Sequence, residues 1–304
     1  MEFQRPQLGE IVILRCGDAS LAIAPACGAR VLSFAAGGRD VLRPAGERAL
    51  QKLAPYDFAA FPLMPYSGPI FGGGFRHGAT FYPLERNLSA EGDAVHGEAW
   101  LRSWTIVEQG SDRLRLRLDY EPVEGAFPFA WHGELTYRLS PSALIVDMEI
   151  RNASIHSMPA GLGFHPYFVR EPQTRLSFAH GDVWPPDSPE AMLVPPMPIE
   201  GLDFNMGRDL AGLVADRCFE DWARTATLDY AGGRKVTLTA SVAFGKLQLY
   251  VPWYDDYVCV EPVTNTNDGF NRARAAVRNH GVVILGHGQS LSGSLSISVG
   301  GSDV

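Results

Sequence analysis

The feature that most constrains the fold of this chain is an alternation of apolar and polar residues, with a period of two, that recurs from end to end. Residues 113–120 show it most clearly, because three arginines and an aspartate separate the apolar side chains. Successive side chains of a β-strand point to opposite faces, so this pattern predicts a strand with one face buried and one in solvent. Its apolar positions are Leu114, Leu116, Leu118 and Tyr120.

The same alternation appears in four later segments, which are residues 144–150, 235–239, 247–251 and 290–299. In the last of these, serines occupy the polar positions, so this serine-rich stretch is predicted to be the outer face of a strand and not a linker. Helical signals are few, and residues 209–215 and 271–279 are each expected to hold only a turn or two. The sequence therefore predicts an all-β protein, a large antiparallel β-sandwich with few short helices, forming a single domain over residues 1–304.

Charge and cysteine spacing exclude several classes of protein. The net charge of −8 argues against nucleic acid or an anionic membrane as the main partner. No pair of cysteines has the Cys-x-x-Cys spacing of zinc and redox sites. The amino-terminal residues lack a signal-peptide pattern and no apolar run is long enough to span a bilayer, so a cytoplasmic protein with reduced thiols is expected. The four cysteines are Cys16, Cys27, Cys218 and Cys259.

One histidine stands in surroundings that suggest chemistry. His165 lies in the segment Gly-Phe-His-Pro-Tyr-Phe, residues 163–168. Proline disfavours the helical region for the residue before it, so His165 is predicted to be extended, at the end of a strand and beside an apolar wall. An imidazole exchanges protons near neutral pH, whereas the alternative interpretation is a histidine packed in the core.

Two further segments place a polar residue among apolar neighbours. His96 lies in Val-His-Gly, and Glu261 lies in the apolar run of residues 259–263. An unpaired carboxylate in such a run would be costly, so Glu261 needs either a task or a partner such as a buried arginine. Together with His165, these residues suggest an acid–base pair in an aromatic-walled pocket.

Other chemistries receive less support from the sequence. The Gly-x-Ser-x-Gly motif of a serine nucleophile and the lysine-containing phosphate loop are both missing from the sequence. His96, His165 and Glu261 also match the composition of a two-histidine, one-carboxylate metal site. Such sites often draw two ligands from one element, and here the three residues lie far apart in the chain. We therefore expect a site without metal or cofactor.

The segments that contain His96, His165 and Glu261, taken in this order, resemble those of the aldose 1-epimerase (galactose mutarotase-like) family. The resemblance covers most of the chain. The series His-Gly, His-Pro-Tyr-Phe and Glu-Pro-Val is its most specific part. The matching segments are residues 62–66, 78–87, 95–97, 163–168, 216–219 and 258–271.

The resemblance implies a large antiparallel β-sandwich that interconverts the α and β anomers of a free sugar. It implies that Glu261 is the general base at the anomeric hydroxyl and that His165 is the general acid at the ring oxygen. His96 would assist on the ring-oxygen side, and Asp216 would bind sugar hydroxyls, although a surface-loop carboxylate is the alternative for Asp216. The expected partner is a small-molecule sugar, and the expected state is a monomer or homodimer.

One departure from the family bears on the substrate. The family commonly carries Asn-Arg-Ile shortly after its proline-rich start, with the arginine on sugar hydroxyls, whereas this chain has Ser67, Gly68 and Pro69 there. Arg76 is a possible replacement, with a solvent-facing turn arginine as the alternative. Two rival functions remain, a non-catalytic sugar-binding or sensing protein and a lyase or hydrolase on the same fold. Hydrolysis normally uses two carboxylates that flank the bond, so one carboxylate with histidines favours epimerisation.

Overall fold

The computed structural model describes residues 7–88, 92–186, 188, 190–253 and 256–301. Within them, strands dominate, and the two helices are short. The strands of the first half are β1 (Val12–Cys16), β2 (Ala19–Ala24), β3 (Arg30–Ala36), β4 (Arg39–Leu42), β5 (Ala60–Leu63), β6 (Pro69–Ile70), β7 (Gly74–His77), β8 (Thr80–Pro83), β9 (Ala94–Val95), β10 (Thr105–Gln109), β11 (Arg113–Tyr120) and β12 (Trp131–Ser140).

The second half continues in the same way. Its strands are β13 (Ala143–Asn152), β14 (Met158–Ala160), β15 (Gly163–Val169), β16 (Arg175–Ser177), β17 (Arg208–Asp209), β18 (Ala215–Glu220), β19 (Thr225–Asp229), β20 (Arg234–Ala240), β21 (Lys246–Val251), β22 (Tyr257–Val263), β23 (Val283–Leu285) and β24 (Ser290–Gly301). The helices are α1 (Glu47–Lys52) and α2 (Gly269–Arg274). In the described part of the chain, no helix is both long enough and apolar enough to cross a bilayer.

Two large antiparallel sheets contain most of these strands. Sheet 1 has the order β1-β2-β3-β4-β15-β22-β21-β18, and β5 pairs with both β3 and β15. Sheet 2 has the order β10-β11-β12-β13-β24-β20-β19-β16-β17. One hydrophobic core draws residues from both sheets and from Val12 through Ile297, which shows that the sheets pack on each other as a sandwich.

The alternation in the sequence matches the burial in the structure. In β11, the three leucines and Tyr120 are buried while Arg113, Arg117 and Asp119 are exposed. In β24, the serine-rich strand, Leu295 and Ile297 reach the core. The prediction of an all-β, antiparallel fold with few short helices is confirmed.

The two helical predictions fare differently. The prediction for residues 209–215 is wrong: Asp209 ends β17, residues 210–214 form a turn, and β18 begins at Ala215. The backbone N–H of Leu210 donates to the carbonyl of Thr174. A hydrogen bond to a distant segment of the same polypeptide therefore replaces the hydrogen bond that a helix would make there. The predicted helix at 271–279 exists but is displaced, because α2 covers Gly269–Arg274.

The central strands of sheet 1 are buried on both faces, and this double burial creates the setting of the site. Phe164 and Phe168 of β15 point into the core between the sheets. Their neighbours alternate to the opposite face. There Tyr167 belongs to a second apolar cluster that also contains Phe61 and Trp100. A polar side chain on this second face is therefore removed from water although it lies outside the main core.

We expect the inter-sheet hydrogen bond of Tyr137 to contribute measurably to stability. The Tyr137 hydroxyl on β12 donates to the buried carbonyl of Ala29 in the facing layer, at 2.9 Å. Tyr137→Phe leaves that carbonyl without its partner, so the free energy of unfolding in urea should fall by about 1–2 kcal/mol. Tyr82→Phe is the control, because no hydrogen bond to the Tyr82 hydroxyl is found in the described residues; an equal loss in both variants would contradict the assignment.

Candidate active site

A cleft of about 440 Å³ opens on the second face of sheet 1. It is lined by all four residues that the sequence singled out, which are His96, His165, Asp216 and Glu261. His165, Asp216 and Glu261 come from three different strands, and His96 follows β9. The fold thus places side chains that are far apart in the sequence around one cavity.

Strand register explains how these side chains meet. Phe61 of β5 lies opposite His165 of β15, and Gln248 of β21 lies opposite Glu261 of β22. Residues directly opposite each other on antiparallel strands point to the same face of the sheet. His165 is the third residue of a seven-residue strand, so it is extended as predicted but lies inside the strand and not at its end.

The centre of the cleft is a buried pair of ionisable groups. His165 Nε2 and Glu261 Oε1 lie 3.4 Å apart, and the two side chains are 8% and 3% exposed. The ionisable neighbour that the structure gives Glu261 is therefore His165, and not the buried arginine that was the alternative. Burial raises the pKa of Glu261 well above its usual range, and the charge of Asp216 adds to that rise. Burial likewise lowers the pKa of His165 well below its usual range, with further lowering by His96.

Two adjacent aromatic rings hold the His165 imidazole in place. Tyr167 stacks on it at 4.7 Å between ring centroids and 12° between planes. Phe61 packs against it as well, also at 4.7 Å, and contacts the Tyr167 ring at 6.2 Å. These rings leave the imidazole little rotational freedom and exclude water from the pair, so both acid–base groups are preorganised in a medium of low polarity.

His96 is held by an unusual backbone conformation. Its φ is +60°, and Gly97 after it is also left-handed at +67°. A Cβ at position 97 would lie 2.2 Å from the carbonyl oxygen of Met64, so only glycine fits there. The Asn87 side-chain amide donates to the carbonyls of Val95 and Gly97, at 2.8 and 3.1 Å, and it stabilises this turn.

The hydrogen bond to His96 fixes its tautomer. The backbone N–H of Gly68 donates to His96 Nδ1 at 3.1 Å. Burial lowers the pKa of His96 to about 4, so the ring is neutral at neutral pH. With Nδ1 as an acceptor, the proton of the neutral ring resides on Nε2, which makes His96 a hydrogen-bond donor.

Asp216 is held in place by a residue that sequence reasoning did not single out. Gln248 Nε2 donates to Asp216 Oδ1 at 2.6 Å. Asp216 is exposed but lies in strand β18 on the cleft wall, so the surface-loop alternative is wrong about its element. Gln248 and Tyr250 both line the cleft. The sequence marks both as polar positions between Leu247, Leu249 and Val251. It does not show which strands pair with this one, so it does not show that the two side chains reach the cleft.

The segment that lacks the family arginine forms part of the cleft wall. Ser67, Gly68 and Pro69 line the cleft, and the Asn265 side chain bonds to the backbone of Ser67 in both directions. Arg76 does not supply the missing group. It is exposed on β7, where it donates to the carbonyl of Ala79 and packs over the Phe81 ring.

The donor set also bears on the metal hypothesis. Ligand atoms of His165, Cys259 and Glu261 all lie within 4.8 Å of one another, close enough for a single ion. His96, which the sequence suggested as the third ligand, does not belong to this group. Cys259 supplies a sulfur instead, because β22 points residues 259 and 261 to the same face.

Comparison with known proteins places these features in context. A family model described as aldose 1-epimerase matches residues 10–298. The uncharacterized protein YphB of Escherichia coli K12 is 26% identical over 255 residues, which cover 80% of this chain and 84% of YphB. A galactose mutarotase-like protein from Clostridium acetobutylicum superposes with a TM-score of 0.82 at 20% identity, over 96% of this chain and 95% of its own. Galactose 1-epimerase from Lactobacillus acidophilus superposes with a TM-score of 0.73 at 14% identity, over 96% and 98%. At these identities, the two structures show a shared fold.

We predict that the His96 ring does not titrate between pH 5 and 8. Because burial lowers its pKa to about 4, the ring stays neutral over this range and gains a proton only in more acidic solution. Long-range ¹⁵N–¹H correlation spectra should show Nε2 protonated and Nδ1 unprotonated, with His96→Asn used to assign the signals. A titration midpoint near 6.5, the ordinary value for histidine, would contradict this electrostatic picture.

Proposed function

We propose that this chain, which belongs to the aldose 1-epimerase family, is an enzyme that interconverts the α and β anomers of a free sugar. The observation that carries the proposal is the buried His165–Glu261 pair, 3.4 Å apart, with the Phe61 and Tyr167 rings packed on the imidazole. Anomer exchange removes one proton from the anomeric hydroxyl and adds one to the ring oxygen. Two adjacent acid–base groups match that requirement.

The reaction proceeds through ring opening. Glu261 takes the proton of the anomeric hydroxyl while His165 gives a proton to the ring oxygen, and the bond between C1 and the ring oxygen breaks to leave an open-chain aldehyde. Rotation about the C1–C2 bond presents the other face of the aldehyde. The hydroxyl then attacks C1 as both protons return, so the two groups end in their starting states.

The pair must share one proton for this cycle. Burial pushes the pKa of Glu261 up and that of His165 down, so the free site favours a neutral carboxylic acid beside a neutral imidazole. The reactive form carries the same number of protons, with the shared proton on His165. A hydroxyl that donates to Glu261 stabilises the carboxylate, and a ring oxygen that accepts from His165 stabilises the imidazolium. Substrate binding therefore favours the reactive arrangement.

The remaining polar groups position the sugar. His96 donates from Nε2 on the ring-oxygen side. The Phe61 and Trp100 rings pack against its imidazole and keep it in place. Asp216, oriented by Gln248, accepts from sugar hydroxyls. These contacts hold the reacting atoms near the pair, which raises the effective concentration of acid and base.

We expect Glu261→Gln and His165→Asn each to lower turnover by about 10² to 10⁴. Each substitution keeps most of the shape but removes one proton-transfer group. Because both groups act in one exchange, the double variant should lose less than the product of the single losses. Polarimetry or NMR exchange spectroscopy on a panel of aldoses measures these rates.

The matched control for Glu261→Gln is Glu134→Gln on sheet 2, where the carboxylate pairs with Arg115 on an exposed face. It should retain the rate of the parent protein. Parental rates for Glu261→Gln would contradict the mechanism. A parent protein that binds sugars but accelerates no anomer exchange would favour the non-catalytic sugar-binding alternative.

We also expect activity to survive removal of metal ions. His165, Cys259 and Glu261 are close enough to share an ion, but the proposed chemistry uses only proton transfer. Dialysis against EDTA should therefore leave the exchange rate unchanged. Loss of activity, with recovery only after a divalent ion is added back, would show that the three donors form a working metal centre.

A further inference from the structure

The cleft has a one-sided distribution of charge. Its described lining includes three carboxylates, Asp93, Asp216 and Glu261, but no lysine or arginine. The residues outside the described part nearest in sequence, 89–91 and 254–255, contain no lysine or arginine either. Burial favours the neutral form of Glu261, so the fixed negative charge comes from the exposed Asp216 and the half-exposed Asp93.

Two cations that lie close to cleft-lining residues are held by other groups. Lys246 Nζ pairs with Glu220 at 2.5 Å, and both side chains are buried at 5% exposure. Arg43 stacks on the Tyr257 ring, with the guanidinium carbon 4.2 Å from the ring centroid, and it donates to the carbonyl of Tyr56 at 2.6 Å. Neither cation lines the cleft, so neither presents a donor to a bound ligand there.

This distribution matters because the charge on a sugar is often its most distinctive chemical feature. A phosphate or carboxylate group on a sugar needs arginine, lysine or several backbone N–H groups to replace the water that it loses. An ammonium group instead needs carboxylates and carbonyls. The Asp216 carboxylate lines the cleft, where Gln248 donates to it at 2.6 Å, so it adds negative charge of fixed orientation to the wall.

We propose that the cleft selects its sugar by charge: it accepts neutral aldoses, binds aminated aldoses more tightly, and excludes aldoses that carry a phosphate or carboxylate. The inference rests on the proposed function, since it concerns the same cleft. It extends that function from an unspecified free sugar to a defined electrostatic class.

The arrangement of the pair indicates where the amino group belongs. With the ring oxygen at His165 and the anomeric hydroxyl at Glu261, C2 lies on the side of C1 that is remote from His165. Along the row of cross-strand neighbours, Gln248 follows Glu261 on that side and holds Asp216. A 2-amino-2-deoxy sugar therefore places its ammonium group nearest to the Asp216 carboxylate.

The test measures binding with methyl glycosides, whose rings cannot open, so that recognition is separated from catalysis. Methyl glucoside, its 2-amino-2-deoxy analogue, its 6-phosphate and methyl glucuronide are titrated at neutral pH by calorimetry or ligand-observed NMR. The amino glycoside should bind at least about 10-fold more tightly than either anionic glycoside, with the neutral one between them. Added salt should reduce the spread, because it screens exposed charges.

Two variants locate the effect. Asp216→Asn should remove most of the preference for the amino glycoside over the neutral one. Asp229→Asn changes the net charge equally but lies on sheet 2, where Asp229 pairs with Lys235, so it should preserve the preference. Anionic glycosides that bind as tightly as the neutral one, or an amine preference that survives Asp216→Asn, would overturn the proposal.

Glycoside binding and the exchange rates of free sugars together separate charge selection from catalysis. If neutral free sugars are epimerised but the charge order is absent, the charge proposal is wrong and the enzyme assignment stands. If the charge order holds for the glycosides but no free sugar is epimerised, the cleft is a charge-selective binding site and the enzyme assignment is wrong. A protein that binds none of the four glycosides overturns the charge proposal, and the exchange rates on free aldoses then decide the enzyme assignment.

Discussion

The burial of two adjacent ionisable groups on the second face of sheet 1 governs the chemistry of this protein. A lone charge in such a place would cost several kcal/mol, so Glu261 and His165 are stable there only as a neutral pair or as a mutually compensating ion pair. Both arrangements contain one proton, and the burial that raises the pKa of Glu261 and lowers that of His165 favours the neutral one. In the proposed mechanism, hydrogen bonds from and to the bound sugar move the proton to His165.

Much of the fold could be predicted from the sequence, because buried and exposed side chains alternate along each strand of a sandwich. Leu114, Leu116 and Leu118 alternate with charges, and the strand they predict exists with that face buried. The failure at residues 209–215 arose because the apolar residues there satisfy tertiary contacts. Leu210 is buried and its N–H bonds to Thr174, a partner that no local pattern reveals.

The candidate site likewise contains residues that local motifs identify and residues that only tertiary pairing reveals. Sequence motifs identified four of its residues, His96, His165, Asp216 and Glu261. Gln248 has no such motif, because its importance depends on its position opposite Glu261 on the neighbouring strand. Register between strands is set by the whole sheet and is not written in either strand alone. The tautomer of His96 is likewise invisible in the sequence, since it is fixed by a backbone N–H from position 68.

That contact between Gly68 and His96 has a consequence for redesign of the specificity. Position 68 is left-handed at +72°, and a Cβ there would lie 1.9 Å from Asn267 Oδ1, so an arginine grafted at this point would displace the wall. A displaced N–H would no longer bond to Nδ1, and the imidazole would be free to exchange its donor and acceptor atoms. A new cation for phosphorylated sugars is therefore better introduced at Asp216 on β18 than on the two segments, residues 67–69 and 93–97, that together orient the histidine.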